Sequence, residues 1–347
     1  MTQERSLADA NEFNDLVRAA AGFHRLLPVF VVKDFWLTSV LRAVALDPSL
    51  KGRILFKGGT SLSKGWRLIE RFSEDVDLLL TGPDFSEPPE SASQREKLMK
   101  ALRACVEART PLRLPDRKEI SREAWNFYYL RSGWHCNLRF ALPGRPVRVG
   151  APSDDWVLLE AGFRGGANPH ETRQIRSYIA EFLDTKPDAR EALVPYAAGL
   201  APFDLALLKP ERTLAEKLVL LHEAFRKGRD AVRSIRTRHY YDVAQLLTKS
   251  PDVERSISDG SFLELVRDAA RISNRYFDAG IDVGALDISK SEALSPGPEA
   301  SRVLRIKYED ERDLYTRAPV PFDEILRATR ELAARLAQVA VPIKLQG

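Results

Sequence analysis

The pattern of apolar and polar positions separates a first part of mixed character from a second part with helical periodicity. In the first part, apolar residues at helical spacing predict helices over 11–27, 30–46 and 94–109. Short apolar or alternating aromatic runs predict strands at Ile54-Leu55-Phe56 and near 125–130, 134–142 and 156–163. Together these elements predict a mixed sheet with flanking helices.

From about residue 200 the periodicity is helical. Helices are predicted over 212–227, 229–248, 262–277 and 321–340. In the first of them, Leu214, Leu218 and Leu221 form one apolar stripe, and Lys217 lies at its border. The sequence therefore predicts an α+β protein with two domains, 1–195 built around the sheet and 196–347 entirely helical.

Composition excludes several classes of protein. The chain has 347 residues, 44% hydrophobic and 29% charged, which is long enough for two globular domains. It contains no run of roughly 20 apolar residues, and its polar start does not resemble a signal peptide, so we expect a cytoplasmic protein without a membrane partner. Its two cysteines lack metal-ligand spacing and are expected to be free thiols. The net charge of +4 permits RNA binding without requiring it.

A glycine pair follows the first predicted strand. Gly58 and Gly59 end that strand, and Thr60 or Ser61 can cap a helix that continues to roughly Arg71. Backbone N–H groups in such a turn suit phosphate.

A pair of carboxylates follows this predicted helix. Asp75 and Asp77 are two residues apart on a predicted strand, so both point to one face while Val76 points to the core. Because adjacent carboxylates repel each other, we expect a divalent cation between them. A hard cation bound by one or two carboxylates and by substrate phosphates fits this pattern, and Mg²⁺ is preferred to Mn²⁺.

The order of these elements resembles the signature of the DNA polymerase β-like nucleotidyltransferase superfamily. Within it, KGGTSLSKGWRLIERFSEDVDLLL at 57–80 resembles the AbiEii/AbiGii toxin family, which includes the MenT toxins. Two later segments resemble helices of the same family, PERTLAEKLVLLHE at 210–223 and RHYYDVAQLL at 238–247. The resemblance covers roughly residues 30–80 and 200–250, and it implies a polymerase β-like sheet with an α-helical C-terminal domain.

The resemblance implies a catalytic set of Asp75, Asp77, Lys217 and Asp242. The two strand carboxylates would hold the metal, and Lys217 would neutralise charge on the triphosphate as pyrophosphate leaves. Asp242 would orient the acceptor or Lys217. From the residues alone, an ordinary helix ion pair between Arg238 and Asp242 and a Lys217 side chain that only covers apolar surface remain alternatives.

Further residues complete the predicted site. The predicted nucleotide-binding residues are Gly58, Gly59, Thr60, Ser61, Lys64 and Arg71, although Lys64 and Arg71 could instead pair with nearby glutamates. Glu160, flanked by apolar residues on a predicted strand, is the expected third metal-binding carboxylate, and a solvent-facing glutamate is the alternative.

The resemblance also implies a biological role. Such proteins are toxins with a separately encoded antitoxin, and characterised MenT-like members add nucleotides to tRNA 3′ ends, which blocks aminoacylation. Positive charges between Arg226 and His239 would suit an RNA backbone, or would form an ordinary solvated helix face. The expected activity is therefore NMP transfer from an NTP to tRNA. Transfer to a small molecule or to a protein hydroxyl is the main alternative, and a non-catalytic binding protein is disfavoured because the four catalytic residues are intact.

Overall fold

The computed structural model describes residues 6–73, 75–145, 155–312, 315 and 319–339. The chain divides into two compact units, of which the first comprises Met1–Gly65 and Phe72–Leu207 and the second comprises Trp66–Arg71 and Leu208–Gly347. The second unit thus begins later than the predicted boundary at 195/196 and includes a short segment from the first predicted domain. The predicted domains themselves, as independently folding pieces, stay a prediction.

The first unit is built around a mixed seven-stranded sheet, which confirms the predicted α+β fold class. Its strands are β1 (Ile54–Lys57), β2 (Asp75–Leu80), β3 (Tyr129–Arg131), β4 (His135–Ala141), β5 (Trp156–Gly162), β6 (His170–Ile175) and β7 (Phe203–Leu208). Their order is β3-β4-β5-β2-β1-β7-β6. β1 is antiparallel to β2 and parallel to β7, whereas β5 is parallel to β2 and antiparallel to β4.

Helices flank this sheet. They are α1 (Phe13–His24), α2 (Pro28–Ala45), α3 (Gly58–Thr60), α4 (Ala92–Arg109), α5 (Arg122–Tyr128), α6 (Tyr178–Leu183), α7 (Pro187–Glu191) and α8 (Ala197–Leu200). α2 packs against β2 and β5 and buries Phe35, Trp36 and Leu41. The central strands are apolar on the covered face, where Phe56 and Val76 are fully buried. The antiparallel pairing of β1 with β2 places the two strands side by side in this core.

Three elements of the first unit differ from the prediction. The stretch 125–130 is mainly helix α5 and only then β3, because the Ser121 side chain accepts a hydrogen bond from the Ala124 N–H and caps a helix there. β6 was not predicted because its sequence, HETRQI, has no apolar alternation. β7 lies where helical periodicity was predicted to begin, and its pairing with β1 outweighs that local pattern.

The second unit contains the remaining helices. They are α9 (Pro210–Arg226), α10 (Arg229–Ser234), α11 (Arg238–Lys249), α12 (Pro251–Ser258), α13 (Ser261–Phe277), α14 (Pro298–Asp310) and α15 (Phe322–Val339). α9 packs against α10, α11, α12 and α13, so it is the central helix of this unit. Residue 340, the end of the last predicted helix, lies outside the described residues.

The predicted helix 229–248 is in fact two helices. Ile235 ends the first in an extended conformation and is buried. The carboxylate of Glu311 then accepts hydrogen bonds from the Thr237 hydroxyl and the Arg238 N–H, which stabilises the start of α11. The break follows from this distant glutamate, which local periodicity does not reveal.

The segment Trp66–Arg71 replaces the end of another predicted helix. The helical turns after β1 end at Gly65, not near Arg71. The Trp66 indole N–H donates to the Leu208 carbonyl, and the Glu70 N–H donates to the Tyr241 hydroxyl. These contacts hold the segment in the second unit in a non-helical conformation. Within the described ranges, no helix is long and apolar enough to cross a membrane.

Candidate active site

Three carboxylates lie on one face of neighbouring strands in the first unit. Asp75 and Asp77 belong to β2, and the register of the parallel pair places Asp77 beside Glu160 of β5. Paired positions share a face of a sheet, so Asp75, Asp77 and Glu160 form what we call the carboxylate face. On the next strand, the Asn137 amide donates to Glu160 Oε1 at 3.0 Å. Glu160 is therefore a neighbour of the predicted metal ligands and is oriented by its own partner.

The glycine turn touches the carboxylate face. Gly58 has a φ of +74°, a conformation that favours glycine, and a Cβ built at this position would lie 2.0 Å from Asp77 Oδ2. Any side chain would therefore displace the Asp77 carboxylate. Glycine is required at position 58 by close approach as well as by backbone conformation.

We expect Gly58→Ala to reduce NTP transfer far more than Gly144→Ala does, although both substitutions strain the backbone to a similar extent. Gly144 provides a matched control, because it has the same φ of +74° and a Cβ there would meet nothing within 4 Å. Both substitutions carry the left-handed penalty of about 1–2 kcal/mol, but only Gly58→Ala displaces Asp77. Urea unfolding and an NTP-transfer assay on both variants check this expectation. Equal activity in the two variants would contradict a role for the Gly58–Asp77 contact.

The hydroxyls of the turn bond to the protein itself. Thr60 Oγ1 donates to the Asp75 carbonyl at 2.5 Å, and Ser61 Oγ donates to the Gly58 carbonyl at 3.0 Å. Thr60 and Ser61 thus brace the turn and β2, and they do not cap a helix as the sequence suggested. Gly59, between them and Gly58, is buried. A phosphate contact from this turn would accordingly come from backbone N–H groups.

Lys64 lies in a buried ion pair of the first unit. Its ammonium lies 2.5 Å from Asp34 Oδ1 and donates to the Arg176 carbonyl at 2.8 Å. The other oxygen, Asp34 Oδ2, accepts from the Tyr178 N–H at 2.7 Å. Lys64 therefore ties the turn after β1 to α2 and to the start of α6. Its predicted contact with nucleotide phosphate stays a prediction.

The carboxylate face fits a hard cation that substrate helps to bind. Its donors are all oxygens, which Mg²⁺ prefers. Among the residues that the structure describes, no group of three or more His, Cys, Asp or Glu side chains is arranged to hold an ion by itself. The oxygen donors of the carboxylate face are of the kind that a hard cation binds together with substrate phosphates.

A second predicted set meets in the second unit, where Arg71, Lys217, His239 and Asp242 form what we call the buried ion cluster. Arg71 Nε and Nη2 each donate to one oxygen of Asp242 at 2.7 Å. Lys217 Nζ lies 2.8 Å from Asp242 Oδ2 and 3.3 Å from His239 Nδ1. The Asp242 side chain is completely buried. The structure thus brings Lys217 and Asp242 together, as the sequence motifs implied.

Electrostatics in the buried ion cluster keep Asp242 ionised. Burial alone would raise the pKa of Asp242, but the charges of Arg71 and Lys217 and their hydrogen bonds lower it below its usual range. For His239, burial lowers the pKa well below the usual value, and the neighbouring Lys217 lowers it further. The cluster therefore contains two cations, one carboxylate and one neutral imidazole.

Arg71 has a different environment from the one predicted. Its guanidinium is buried and bidentate to Asp242, and its backbone pairs with that of Tyr315. The structure gives Arg71 a partner within the protein, so its predicted nucleotide contact stays a prediction.

Sequence reasoning missed three residues of these surroundings. Asp34, Asn137 and His239 each contact a predicted site residue, Lys64, Glu160 and Lys217 respectively. His239 lies within the family segment 238–247 and so carried a signal, whereas Asp34 and Asn137 lie in stretches without a distinctive motif. Only the fold brings the latter two to their partners.

Comparison with known proteins identifies the family. The family model described as "Nucleotidyl transferase AbiEii toxin, Type IV TA system" matches residues 39–328. Among solved structures, the chain is similar to MenT4, a nucleotidyltransferase toxin from Mycobacterium tuberculosis H37Rv, with 17% identity and a TM-score of 0.49, over 93% of this chain and 88% of that one. A search of curated proteins found no match. Because the family model spans most of the sequence, the chain belongs to the AbiEii family of nucleotidyltransferase toxins from type IV toxin–antitoxin systems.

Proposed function

We propose that the protein transfers NMP from an NTP to the 3′ end of tRNA and so blocks translation and growth. The observation that carries the chemistry is the carboxylate face, where Asp75, Asp77 and Glu160 share one side of β2 and β5 beside the Gly58 turn. Membership of the AbiEii family supports an NTP substrate and a separate antitoxin as partner. The tRNA acceptor, Mg²⁺ and a cytoplasmic site of action are parts of the proposal.

The proposed reaction is an in-line displacement at phosphorus. The oxygen of an acceptor hydroxyl bonds to the α-phosphorus of the NTP and the hydroxyl proton is released to solvent, while the bond from the α-phosphorus to the α,β-bridging oxygen breaks and pyrophosphate leaves. Asp75 and Asp77, with Glu160 as a third carboxylate, would hold Mg²⁺, which supplies charge neutralisation at the triphosphate. The turn from Gly58 to Ser61 would contact phosphate oxygens through its backbone N–H groups.

The remaining predicted residues receive roles that follow from their contacts. Lys217 would donate to the triphosphate and offset the charge of departing pyrophosphate. Asp242 would orient Lys217, since the two side chains lie 2.8 Å apart. We propose that Lys64 and Arg71 act by holding the glycine turn and Asp242 in place, because both are buried in ion pairs.

The direct test is transfer of label from each of the four NTPs to total tRNA, with cell lysate as the second acceptor source. Labelled tRNA sensitive to removal of the 3′ end is the expected result, and chelation of divalent cations should abolish it. Label on a protein or on a small molecule would replace the tRNA proposal with one of the alternative acceptors. Failure to release pyrophosphate with any acceptor would contradict nucleotidyl transfer.

Expression is expected to arrest growth of a bacterial host, and Lys217→Met should relieve the arrest. Methionine retains most of the side-chain volume but removes the ammonium that would meet the triphosphate. Lys290→Met is the control, because Lys290 is an exposed lysine of the same unit outside the basic stretch between Arg226 and His239. Growth curves with immunoblots at equal protein level provide the measurement. Undiminished arrest by Lys217→Met would remove Lys217 from the proposed mechanism.

The exposed basic residues of α10 provide a test of the acceptor. Arg229 and Arg233 are more than half exposed, although Arg229 pairs with Glu299 and Arg233 lies 3.6 Å from Asp230. If they contact RNA, reversing both charges should weaken tRNA binding. The slope of log affinity against log salt concentration should also become shallower by roughly 0.7–0.9 per lost phosphate contact. NTP binding should survive.

Arg327 and Arg330, exposed on α15, provide a charge-matched control pair. The Arg229→Glu, Arg233→Glu protein should lose more tRNA affinity than the Arg327→Glu, Arg330→Glu protein in salt titrations. Equal losses would indicate a general charge effect, and RNA docking at α10 would be wrong.

A further inference from the structure

The geometry around Lys217 gives a role to His239, to which neither the family resemblance nor the proposed mechanism assigns one. Lys217 reaches from α9 to two acceptors on α11, Asp242 Oδ2 at 2.8 Å and His239 Nδ1 at 3.3 Å. These acceptors are three residues apart on one helix, so they share a face. The ammonium is therefore held at two points.

The contact defines the state of the imidazole. A lysine ammonium has three N–H donors and no acceptor, so His239 Nδ1 must accept. The imidazole then carries its proton on Nε2 and is neutral. The surroundings favour this state, because burial and then the charge of Lys217 lower the pKa of His239, with smaller contributions in the same direction from Arg238 and Arg71. Asp242 acts in the opposite direction and is outweighed.

Two fixed acceptors orient the third donor. With one contact, an ammonium can rotate about the Cε–Nζ bond and swing on its flexible stem. With two contacts in place, the tetrahedral geometry of nitrogen determines the direction of the remaining N–H. Asp242 is itself immobilised by the bidentate contact with Arg71. The direction of the remaining N–H is therefore fixed before substrate arrives.

We propose that His239 is a positioning residue, which acts with Asp242 to fix the orientation of the Lys217 ammonium that the proposed mechanism uses. This inference rests on the proposed nucleotidyl transfer. His239 would not touch the substrate, and its contribution would arise from holding the ammonium in the geometry that the transition state requires.

Kinetics of substituted proteins test the role. In His239→Asn the amide oxygen can occupy the position of Nδ1, so kcat should stay within about threefold of the unsubstituted protein. His239→Gln places its amide farther along the side chain, and His239→Leu has no acceptor. Both should lose kcat by roughly 10- to 100-fold with little change in KM for NTP, because misorientation of about 1 Å costs this much.

His222→Leu is the matched control. His222 lies on α9 in the same unit, and its Nδ1 is 2.9 Å from Ser291 Oγ, a partner outside the buried ion cluster. Its loss should leave kcat unchanged. Equal kcat in the Asn, Gln and Leu variants at position 239 would overturn the inference, and a comparison of Asn with Gln still decides the matter if the Leu variant does not fold.

A measurement without turnover separates this inference from the proposed function. In protein labelled with ¹⁵N-histidine, the signal of His239 is identified among the five histidines by its absence in His239→Asn. We expect a neutral imidazole protonated at Nε2 throughout the neutral pH range, and a changed Nδ1 shift in Lys217→Met. An Nδ1–H tautomer or an imidazolium at neutral pH would overturn the contact. The expected tautomer without any nucleotidyl transfer would instead contradict the proposed function, and with it the role in that reaction.

Discussion

Replacing Asp77 by Ala is expected to reduce nucleotidyl transfer on the order of 10³-fold while the protein stays folded. Asp77 is the central member of the carboxylate face, paired in register with Lys57 on β1 and with Glu160 on β5. Its loss would remove a proposed metal ligand and the carboxylate that Gly58 approaches. Removal of one of several neighbouring negative charges also relieves repulsion, so folding should change little.

Asp188→Ala is the control for the Asp77 prediction, since Asp188 is exposed on α7 in the same unit. Pyrophosphate release and label transfer measure activity, and circular dichroism with urea titration measures folding. A folded Asp77→Ala protein with undiminished transfer would remove the carboxylate face from the mechanism.

The largest effect on stability is expected at Asp242. Asp242→Ala would leave the Arg71 guanidinium buried without its bidentate partner, and loss of one member of a buried pair typically costs about 3–5 kcal/mol in the free energy of unfolding. Urea unfolding measures this quantity. The double variant Arg71→Ala, Asp242→Ala should lose less unfolding free energy than the sum of the two single changes. The double change removes both members of the pair, so neither the guanidinium nor the carboxylate is left buried without the other. Additive costs would show that the pair is not coupled.

The pH dependence of this deficit has a definite sign. The pKa of Asp242 is lowered in the folded protein, so its contribution to stability is complete above the unfolded pKa of about 3.9 and is lost as pH falls through the lower folded pKa. The difference in unfolding free energy between the natural protein and Asp242→Ala should therefore be constant between pH 6 and pH 8 and should shrink in strong acid. A deficit that grows with acidity would contradict the ionised, paired state of Asp242.

Local periodicity predicted the elements whose pattern is complete within a short window. The spacing of Asp75 and Asp77 placed them on one face of a strand, and the same reasoning placed Glu160 on a strand, now paired with Asp77. The long helices α4, α9 and α13 were predicted within a few residues because their apolar stripes persist over many turns. The residues that these helices bury in the structure are mainly those of the apolar stripes in the sequence.

Partners far apart in the sequence were beyond such reasoning. Arg71 and Asp242 are separated by 171 residues, and Lys64 and Asp34 by 30. In each pair the sequence shows a basic residue in the motif that follows the glycine turn, and this motif predicts a nucleotide ligand. Whether such a side chain meets phosphate or an internal carboxylate depends on which distant segment the fold brings to it.

The assignment of Trp66–Arg71 to the second unit has a consequence for gene architecture. A reading frame cut at codon 208 would encode the helices that carry Lys217 and Asp242 but would lack the arginine that neutralises Asp242. Exchange of the downstream half between homologous genes would likewise combine an arginine at position 71 from one gene with an aspartate at position 242 from another. Recombination is therefore expected to preserve function only where both partners of this pair are compatible, and the two halves of the gene should be inherited together.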